Sequence, residues 1–352
     1  MSALLIVGHG TRDEAGAEDF RAFVRRVGDL AVARGAADAV GGGFIELSPP
    51  PLKDAVTRLV EAGHRDLTAV PLILLAAGHA KGDIPAALAR ERDRHAGLRT
   101  RYARPLGPHP VVLDLLRHRL VEHAAALVAD DAGAAPDAVL LVGRGTTDPD
   151  ANADLFRAAR LLWETTRDLG VREVEAAFVS LAHPSVPEGL DRLRALGARR
   201  IAVLPFFLFR GVLPARIHAQ AAQWSAQHPD GPRATVADVI GDCDALAELV
   251  LERYAEADGR GAAPAGMNCD ACVYRIALPG FESRVGQEQR PHDHPDDPAH
   301  AHGHPHGHAH LHGQSHVHTQ GHAAAAPGPA QVHSVPETRV STTVPTSSPP
   351  MG

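Results

Sequence analysis

The chain has 352 residues, a formal net charge of −7 at pH 7 and three cysteines. An acidic balance argues against general nucleic-acid binding, which needs a basic surface, and three cysteines in this length do not make a disulfide scaffold. The longest apolar runs, 69–77 and 201–209, reach about half of the ~20 residues that span a bilayer. The first residues also lack the basic start of a signal peptide. We therefore predict a cytoplasmic protein that binds neither nucleic acid nor membranes.

One sequence unit occurs twice, about 135 positions apart. "LLIVGHGTRD" (4–13) returns as "LLVGRGTTDPD" (140–150), and His9 is replaced by Arg144. Each unit alternates apolar strands with amphipathic helices, which is typical of parallel sheets covered by helices on both faces. We predict an α/β fold of two tandem similar domains, about 1–130 and 136–258, joined by "DDAGAAPDA". A disordered tail over 259–352, rich in Pro, Gly, His, Ser and Thr, follows them.

The first copy predicts elements in a simple order. A strand over 3–7 leads to the GHG turn, and a helix follows it to about Gly35. A second strand ends in "GFIEL" (43–47), and Ser48 with its three following prolines predicts the N-cap and first turn of a helix. The predicted strand 67–75 then gives way to the loop "AAGHAKGD" (76–83) and a helix from about Ile84. A strand near 100–104 and a helix over 110–129 complete the copy.

The second copy predicts the same succession. Its predicted strands and helices are strand 138–142, helix 152–168, strand 173–179, the helix in "HPSVPEGLDRLRALG", strand 199–207 and a helix after "FRGVLPARI".

Three polar residues of the first copy follow consecutive predicted strands: His9, Glu46 and His79. If the first strand lies between the second and third, all three meet at the carboxyl edge of the sheet, where ligands of open parallel sheets bind. Two imidazoles and a carboxylate form an incomplete shell for a divalent transition metal, and they can also accept protons near neutral pH.

The second copy has Arg144, Ser180 and about Val212 at these places, and none of these can replace the lost ligands. One copy is therefore predicted to keep the chemistry and the other only the shape.

Each of the three residues, taken singly, also fits an ordinary structural role. A histidine in a strand-to-helix turn is commonly an ordinary loop residue, and Glu46 could be a carboxylate at a helix N-terminus, where the dipole favours it. The GHG turn also resembles that of histidine phosphatases, but that family needs an arginine directly before the histidine, where this chain has Gly8. The conjunction of all three residues, and their joint loss in the duplicate, favours one shared site.

Three motifs in fixed order, "LLIVGHGTRDEAG", "GGGFIELSPPPL" and "VPLILLAAGHAKGDIP", resemble those of the class II, ATP-independent tetrapyrrole chelatases, specifically the sirohydrochlorin chelatases. The resemblance covers residues 1–258 and implies a lyase that inserts Co²⁺, or Fe²⁺ in sister enzymes, into sirohydrochlorin for cobalamin or sirohaem synthesis. It implies that His9 and His79 bind the metal and accept protons, and that Glu46 assists them.

The substrate of that family is a polycarboxylate, so basic residues near the crevice should orient it. Arg12 and Lys81, which follow the site histidines closely, are the predicted substrate-binding residues, although both could be ordinary solvated loop charges. Arg144 and Arg210, at the corresponding edge of the second copy, could face the same cleft.

The tail carries two further motifs that the long forms of this family share. In "MNCDAC", Cys269 and Cys272 could contribute to a [4Fe–4S] cluster, which needs four cysteines and would then bridge two chains of a homodimer; the alternative is two free thiols. The tail also holds 13 of the 23 histidines, between His292 and His333. An alternating set among them is suited to weak metal storage: His302, His304, His306, His308, His310 and His312. A passive tail is the alternative.

These features leave two functions open. The favoured one is a sirohydrochlorin chelatase, with Co²⁺ preferred over Fe²⁺. The other is a non-catalytic protein that stores or carries nickel or cobalt through its histidine-rich tail.

Overall fold

The structure, a computed structural model, describes residues 2–129, 135–261 and Ser283. Cys269, Cys272 and the histidines of the predicted tail lie outside the described residues. The predictions of a cluster, of a metal store and of a disordered tail therefore stay predictions. Among the described residues, no helix is both long enough and apolar enough to cross a bilayer.

The first sequence copy forms a parallel four-stranded sheet in the order β2-β1-β3-β4. Its strands are β1 (Ala3–Gly8), β2 (Val40–Phe44), β3 (Asp66–Pro71) and β4 (Arg99–Tyr102). Its helices are α1 (Glu14–Arg34), α2 (Leu52–Glu61), α3 (Ile84–Arg94) and α4 (Pro110–Ala129). The predicted position of the first strand, between the second and the third, is confirmed.

The second copy repeats this arrangement, in the order β6-β5-β7-β8. Its strands are β5 (Ala138–Gly143), β6 (Glu173–Phe178), β7 (Arg200–Pro205) and β8 (Arg233–Val236). Its helices are α5 (Pro149–Thr166), α6 (Val186–Ala195), α7 (Val212–Gln227) and α8 (Asp244–Ala257). The predicted α/β class with two similar parallel sheets is confirmed.

The two copies share part of their core. One cluster of buried apolar side chains includes Leu4 and Phe23 of the first copy with Leu141 and Tyr254 of the second. The Tyr254 hydroxyl donates to the backbone carbonyl of Ser2, which ties α8 to the start of β1. All described strands and helices fall within one compact unit, Met1–His292. The division into domains at 1–130 and 136–258 therefore stays a prediction.

The structure corrects three local predictions. Ser48 is not an N-cap: α2 begins at Leu52, after the prolines, and its N-cap position is Pro51. The Ser48 hydroxyl instead accepts from the Thr11 backbone N–H (2.9 Å) and donates to the Thr11 carbonyl (2.6 Å). The predicted strand 67–75 ends at Pro71, because Leu72 and Leu74 enter the core from an irregular segment. Part of the predicted loop 76–83 is also helical, as described below.

Gly10 and Gly145 mark the closest approach between neighbouring loops in the two copies. Both have positive φ, +103° and +83°. A Cβ at Gly10 would lie 1.8 Å from the Glu46 carbonyl oxygen, and a Cβ at Gly145 would lie 1.8 Å from that of Ser180. Only glycine permits this contact, which fixes the loop after the second strand of each copy against the turn after the first.

We predict that Gly10→Ala and Gly145→Ala each lower the free energy of unfolding by about 3 kcal/mol, because each adds a steric overlap to an unfavourable backbone conformation. Gly35→Ala is the matched control, since Gly35 also has positive φ but a Cβ added there would meet nothing within 4 Å. It should cost only about 1 kcal/mol. Urea unfolding of the three variants checks this, and equal losses in all three would contradict it.

Candidate metal centre

The order of the first sheet brings His9, Glu46 and His79 together. His9 follows β1 directly, Glu46 comes two residues after β2, and His79 comes eight residues after the end of β3. Because β1 lies between β2 and β3 and all three run parallel, their carboxyl ends are adjacent. The backbone N–H of Glu46 donates to the His9 carbonyl (3.1 Å), which fixes the two loops side by side.

The three side chains converge through single atoms. His9 Nε2 lies 2.9 Å from His79 Nε2 and 3.1 Å from Glu46 Oε1. The two rings are nearly perpendicular, at 85°, with their centroids 4.3 Å apart. One ligand atom from each residue lies within 4.8 Å of the other two, which makes this a candidate metal centre among the described residues.

The second ring nitrogen of each histidine faces a hydrogen-bond acceptor. His9 Nδ1 lies 3.0 Å from the Gly10 carbonyl oxygen, and His79 Nδ1 lies 2.7 Å from Asp83 Oδ2. Because a carbonyl and a carboxylate only accept, these two contacts suit histidines that carry the proton on Nδ1. In that neutral tautomer both Nε2 atoms would be free to bind a metal ion through their lone pairs.

Two Nε2 atoms beside a carboxylate form a donor set for a cation. A divalent transition metal bonded at roughly 2.1 Å to neighbouring octahedral ligands sets those ligands about 3 Å apart. This matches both distances from His9 Nε2. His79 is buried, whereas the His9 and Glu46 side chains keep 27% of their surface exposed. A metal held here would have open coordination positions toward solvent.

Asp83 is a site residue that the sequence reasoning missed. Residues His79–Asp83 form a π-helical turn that continues into α3, so His79 and Asp83 lie one turn apart on the same face. The Tyr102 hydroxyl donates to the Ala80 carbonyl (2.8 Å) and holds this turn against β4. Burial raises the pKa of Tyr102, so its hydroxyl stays a donor. The histidine–aspartate spacing of four was visible in the sequence, but it brings the two side chains together only when these residues form a helical turn.

Arg144, the counterpart of His9, also reaches the centre. Its Nη1 lies 3.4 Å from His9 Nε2. Burial lowers the pKa of the Arg144 guanidinium, and the charge of Glu46 opposes that shift. Arg210 does not share this position: its exposed side chain bonds Asp19 of α1 through two contacts, at 2.9 Å and 2.6 Å.

The two predicted substrate-binding residues have different surroundings. Arg12 is exposed in the turn between β1 and α1. Lys81 is buried: its ammonium lies 2.8 Å from Asp148 Oδ2 and 2.9 Å from Asp150 Oδ2 of the second copy. Both carboxylates form ion pairs with the Lys81 ammonium, and these ion pairs fix the turn that carries His79. The second copy thus contributes Arg144, Asp148 and Asp150 to the surroundings of the centre. The sequence predicted that this copy keeps only the shape of the first, so its contribution is larger than predicted.

Burial by itself lowers the pKa of Lys81, but the bonds to Asp148 and Asp150 outweigh it and the net shift is upward. The side chain of Lys81 is only 6% exposed and that of Asp148 is fully buried. The pair is therefore a buried one, in which loss of one partner leaves an uncompensated charge.

We predict that Lys81→Met lowers the free energy of unfolding by about 3 kcal/mol or more, because the buried Asp148 and the largely buried Asp150 lose their counter-ion. Lys53→Met, at an exposed position of α2, is the matched control and should change stability by no more than about 0.5 kcal/mol. Urea unfolding at neutral pH compares them. A similarly small loss of stability in Lys81→Met and Lys53→Met would show that the ion pairs of Lys81 with Asp148 and Asp150 do not hold the two copies together.

Comparisons with known proteins agree with this fold. The chain is 34% identical over 280 residues to a sirohydrochlorin cobaltochelatase of Priestia megaterium, covering 79% of this chain and 86% of that protein. It is 31% identical over 254 residues to a sirohydrochlorin ferrochelatase of the same organism, covering 71% and 88%.

Among solved structures, the chain is similar to the sirohydrochlorin chelatase SirB from Bacillus subtilis subspecies spizizenii in complex with cobalt. The TM-score is 0.58 at 28% identity, over 74% of this chain and 97% of that one. The CbiX family model matches twice, at residues 3–123 and 138–257, so it covers both copies. The chain belongs to the CbiX family.

Proposed function

We propose that this protein is a lyase that inserts a divalent metal ion, Co²⁺ or Fe²⁺, into sirohydrochlorin. The observation that carries the proposal is the convergence of the two Nε2 atoms and the Glu46 carboxylate at one open edge of the first sheet. Relatives named as a cobaltochelatase and a ferrochelatase of sirohydrochlorin supply the substrate and the choice of metals.

The donor set suits a metal that must be given away. Two imidazoles and one carboxylate bind Co²⁺ and Fe²⁺ and leave open positions through which the macrocycle nitrogens can approach. Thiolates would hold such ions more tightly, and Cys243, the one cysteine among the described residues, lies at the start of α8 instead. In the proposed reaction His9, His79 and Glu46 hold the ion until the macrocycle takes it.

The same side chains account for the protons. Two pyrrolic N–H groups lose their protons as the ion enters the ring. As the ion leaves, the Nε2 atoms of His9 and His79 regain their lone pairs at that place, and each accepts one proton. Asp83 stabilises the imidazolium at His79, and Glu46, 3.1 Å from His9 Nε2, stabilises the other. Both protons then pass to solvent through the exposed edge.

Substrate orientation is a separate part of the proposal. Sirohydrochlorin carries many carboxylates, and the exposed Arg12 follows His9 by three residues, so we assign Arg12 to a substrate carboxylate. Lys81, also predicted for this role, would have to leave Asp148 and Asp150 to perform it. Because the Lys81 side chain is only 6% exposed and Arg12 is exposed, we rank Lys81 below Arg12.

Co²⁺ is our preferred metal, on the ground of the long chain and its histidine-rich tail. The more similar of the two curated relatives is the cobaltochelatase, although two histidines and a carboxylate accept Fe²⁺ equally. A [4Fe–4S] cluster at Cys269 and Cys272, a homodimer and a cytoplasmic location stay predictions. The alternative, a non-catalytic nickel or cobalt store, gains no support from these relatives, which are both named as enzymes.

The central test is an anaerobic insertion assay with sirohydrochlorin and Co²⁺, Fe²⁺ or Ni²⁺, followed through the visible absorption of the macrocycle. We expect the protein to accelerate insertion and His79→Ala to lower the rate by at least about a hundredfold, because a metal ligand and a proton acceptor are lost together. His118→Ala, an exposed histidine of α4, is the matched control and should retain full activity.

A truncated chain ending at Gly261 separates the two functions further. A chelatase should keep its insertion activity without the tail, whereas a storage protein should lose most of its metal binding. Absence of acceleration with any of the three metals, from folded protein, would contradict the proposed enzyme.

Asp83→Asn provides a finer test of the same site. We predict that it weakens Co²⁺ binding at the site by about tenfold, because the amide no longer supplies the charge that makes His79 a better ligand. Calorimetric titration measures this, and the signal of His79→Ala is subtracted to remove binding by the tail. Asp93→Asn, an exposed carboxylate of α3, is the control. Equal affinities in both variants would exclude the proposed role of Asp83.

A further inference from the structure

We propose that Arg144 sets how loosely the centre holds its metal, so that the second sequence copy controls release of the ion to the macrocycle. This inference rests on the proposed function, because it takes the ion to be held by His9, Glu46 and His79. Arg144 stands where the first copy has His9, but it belongs to the other sheet and is aimed at the centre from the second copy.

The position of Arg144 is fixed by its backbone. It follows β5 directly, between Gly143 and Gly145, and its carbonyl accepts both the backbone N–H and the hydroxyl of Ser180, each at 3.1 Å. From there the guanidinium reaches to 3.4 Å from His9 Nε2 and interacts electrostatically with Glu46. A guanidinium keeps its charge in proteins. The centre is therefore built with a permanent positive charge at its edge.

That charge acts differently in the two states of the site. Without the ion, Arg144 faces a lone pair and a carboxylate, both of which attract it. With the ion bound to the same atoms, a divalent cation and the guanidinium repel each other at short range, in surroundings that screen less than water. Arg144 thus favours the state in which the ion has left. A ligand set that must deliver its metal benefits from this repulsion.

An alternative role for Arg144 is to bind a carboxylate of the macrocycle. The observed contacts favour the first role, because the guanidinium points at the ligand atom of His9 rather than away from the centre. Exposed arginine, as at Arg12, is better placed for a carboxylate at the periphery of a large substrate. The two roles predict different kinetic effects, which the following experiment separates.

The experiment is a Co²⁺ titration of the full-length protein by calorimetry, with Arg144→Gln, Arg144→Lys and Arg160→Gln beside it. Arg160→Gln removes the same charge from an exposed position of α5, where Arg160 pairs with Glu164. His79→Ala is titrated in the same way, and its heat signal is subtracted from those of the other variants, because every variant carries the same histidine-rich tail. Insertion into sirohydrochlorin is measured for each variant with saturating Co²⁺.

We expect Arg144→Gln to bind Co²⁺ about tenfold or more tightly at the site and to insert it with a lower kcat at unchanged KM for sirohydrochlorin. Arg144→Lys, which keeps the charge, and Arg160→Gln should stay near the original protein. Damage to the fold would weaken metal binding, so tighter binding cannot arise from it. In the His79→Ala background the effect of Arg144→Gln should disappear.

Two results would overturn the inference. Unchanged or weaker Co²⁺ binding by Arg144→Gln would exclude it, and a raised KM for sirohydrochlorin with unchanged Co²⁺ affinity would assign Arg144 to the substrate instead. Failure of the proposed function would look different: His79→Ala would then bind Co²⁺ as the original protein does, whatever residue stands at 144.

Discussion

The contact on which both copies depend is the approach of the turn after the first strand to the loop after the second. Gly10 lies so close to the Glu46 carbonyl, and Gly145 to that of Ser180, that no side chain fits between them. In each copy the residue before this glycine is fixed beside the loop: His9 beside Glu46, and Arg144 beside Ser180. The same backbone geometry thus holds the proposed ligands His9 and Glu46 in one copy, and a guanidinium with a hydroxyl in the other.

The chemistry of the centre follows from the contacts that the Nδ1 atoms of His9 and His79 make. The Nδ1 atoms of His9 and His79 face the Gly10 carbonyl and Asp83, so both Nε2 atoms are directed at each other and toward Glu46. Three nitrogen and oxygen ligands leave coordination positions of a divalent metal open. The arrangement therefore leaves room for further ligands to approach a metal held there.

The duplicate has diverged without becoming inert. Asp148, in the turn before α5, and Asp150 of α5 bind the ammonium of Lys81, two residues beyond His79, so the second copy fixes the turn that carries His79. Arg144 places a charge against His9. The two copies also share a buried core and the bond between Tyr254 and Ser2. The centre lies on the first sheet, but its surroundings are built by both copies.

The sequence alone determined the repeat, the α/β class and the sheet edge at which His9, Glu46 and His79 meet, because these depend on apolar periodicity and on the fixed direction of parallel strands. Local pattern could not reveal that Ser48 bonds Thr11 instead of capping a helix, that residues 79–83 form a helical turn with Asp83 against His79, or that Lys81 is buried. Each of these depends on a partner distant in the sequence or on a turn that the apolar pattern does not specify. Only the packing of the second copy against the first brings Arg144 and Lys81 to their partners 135 and 67 positions away.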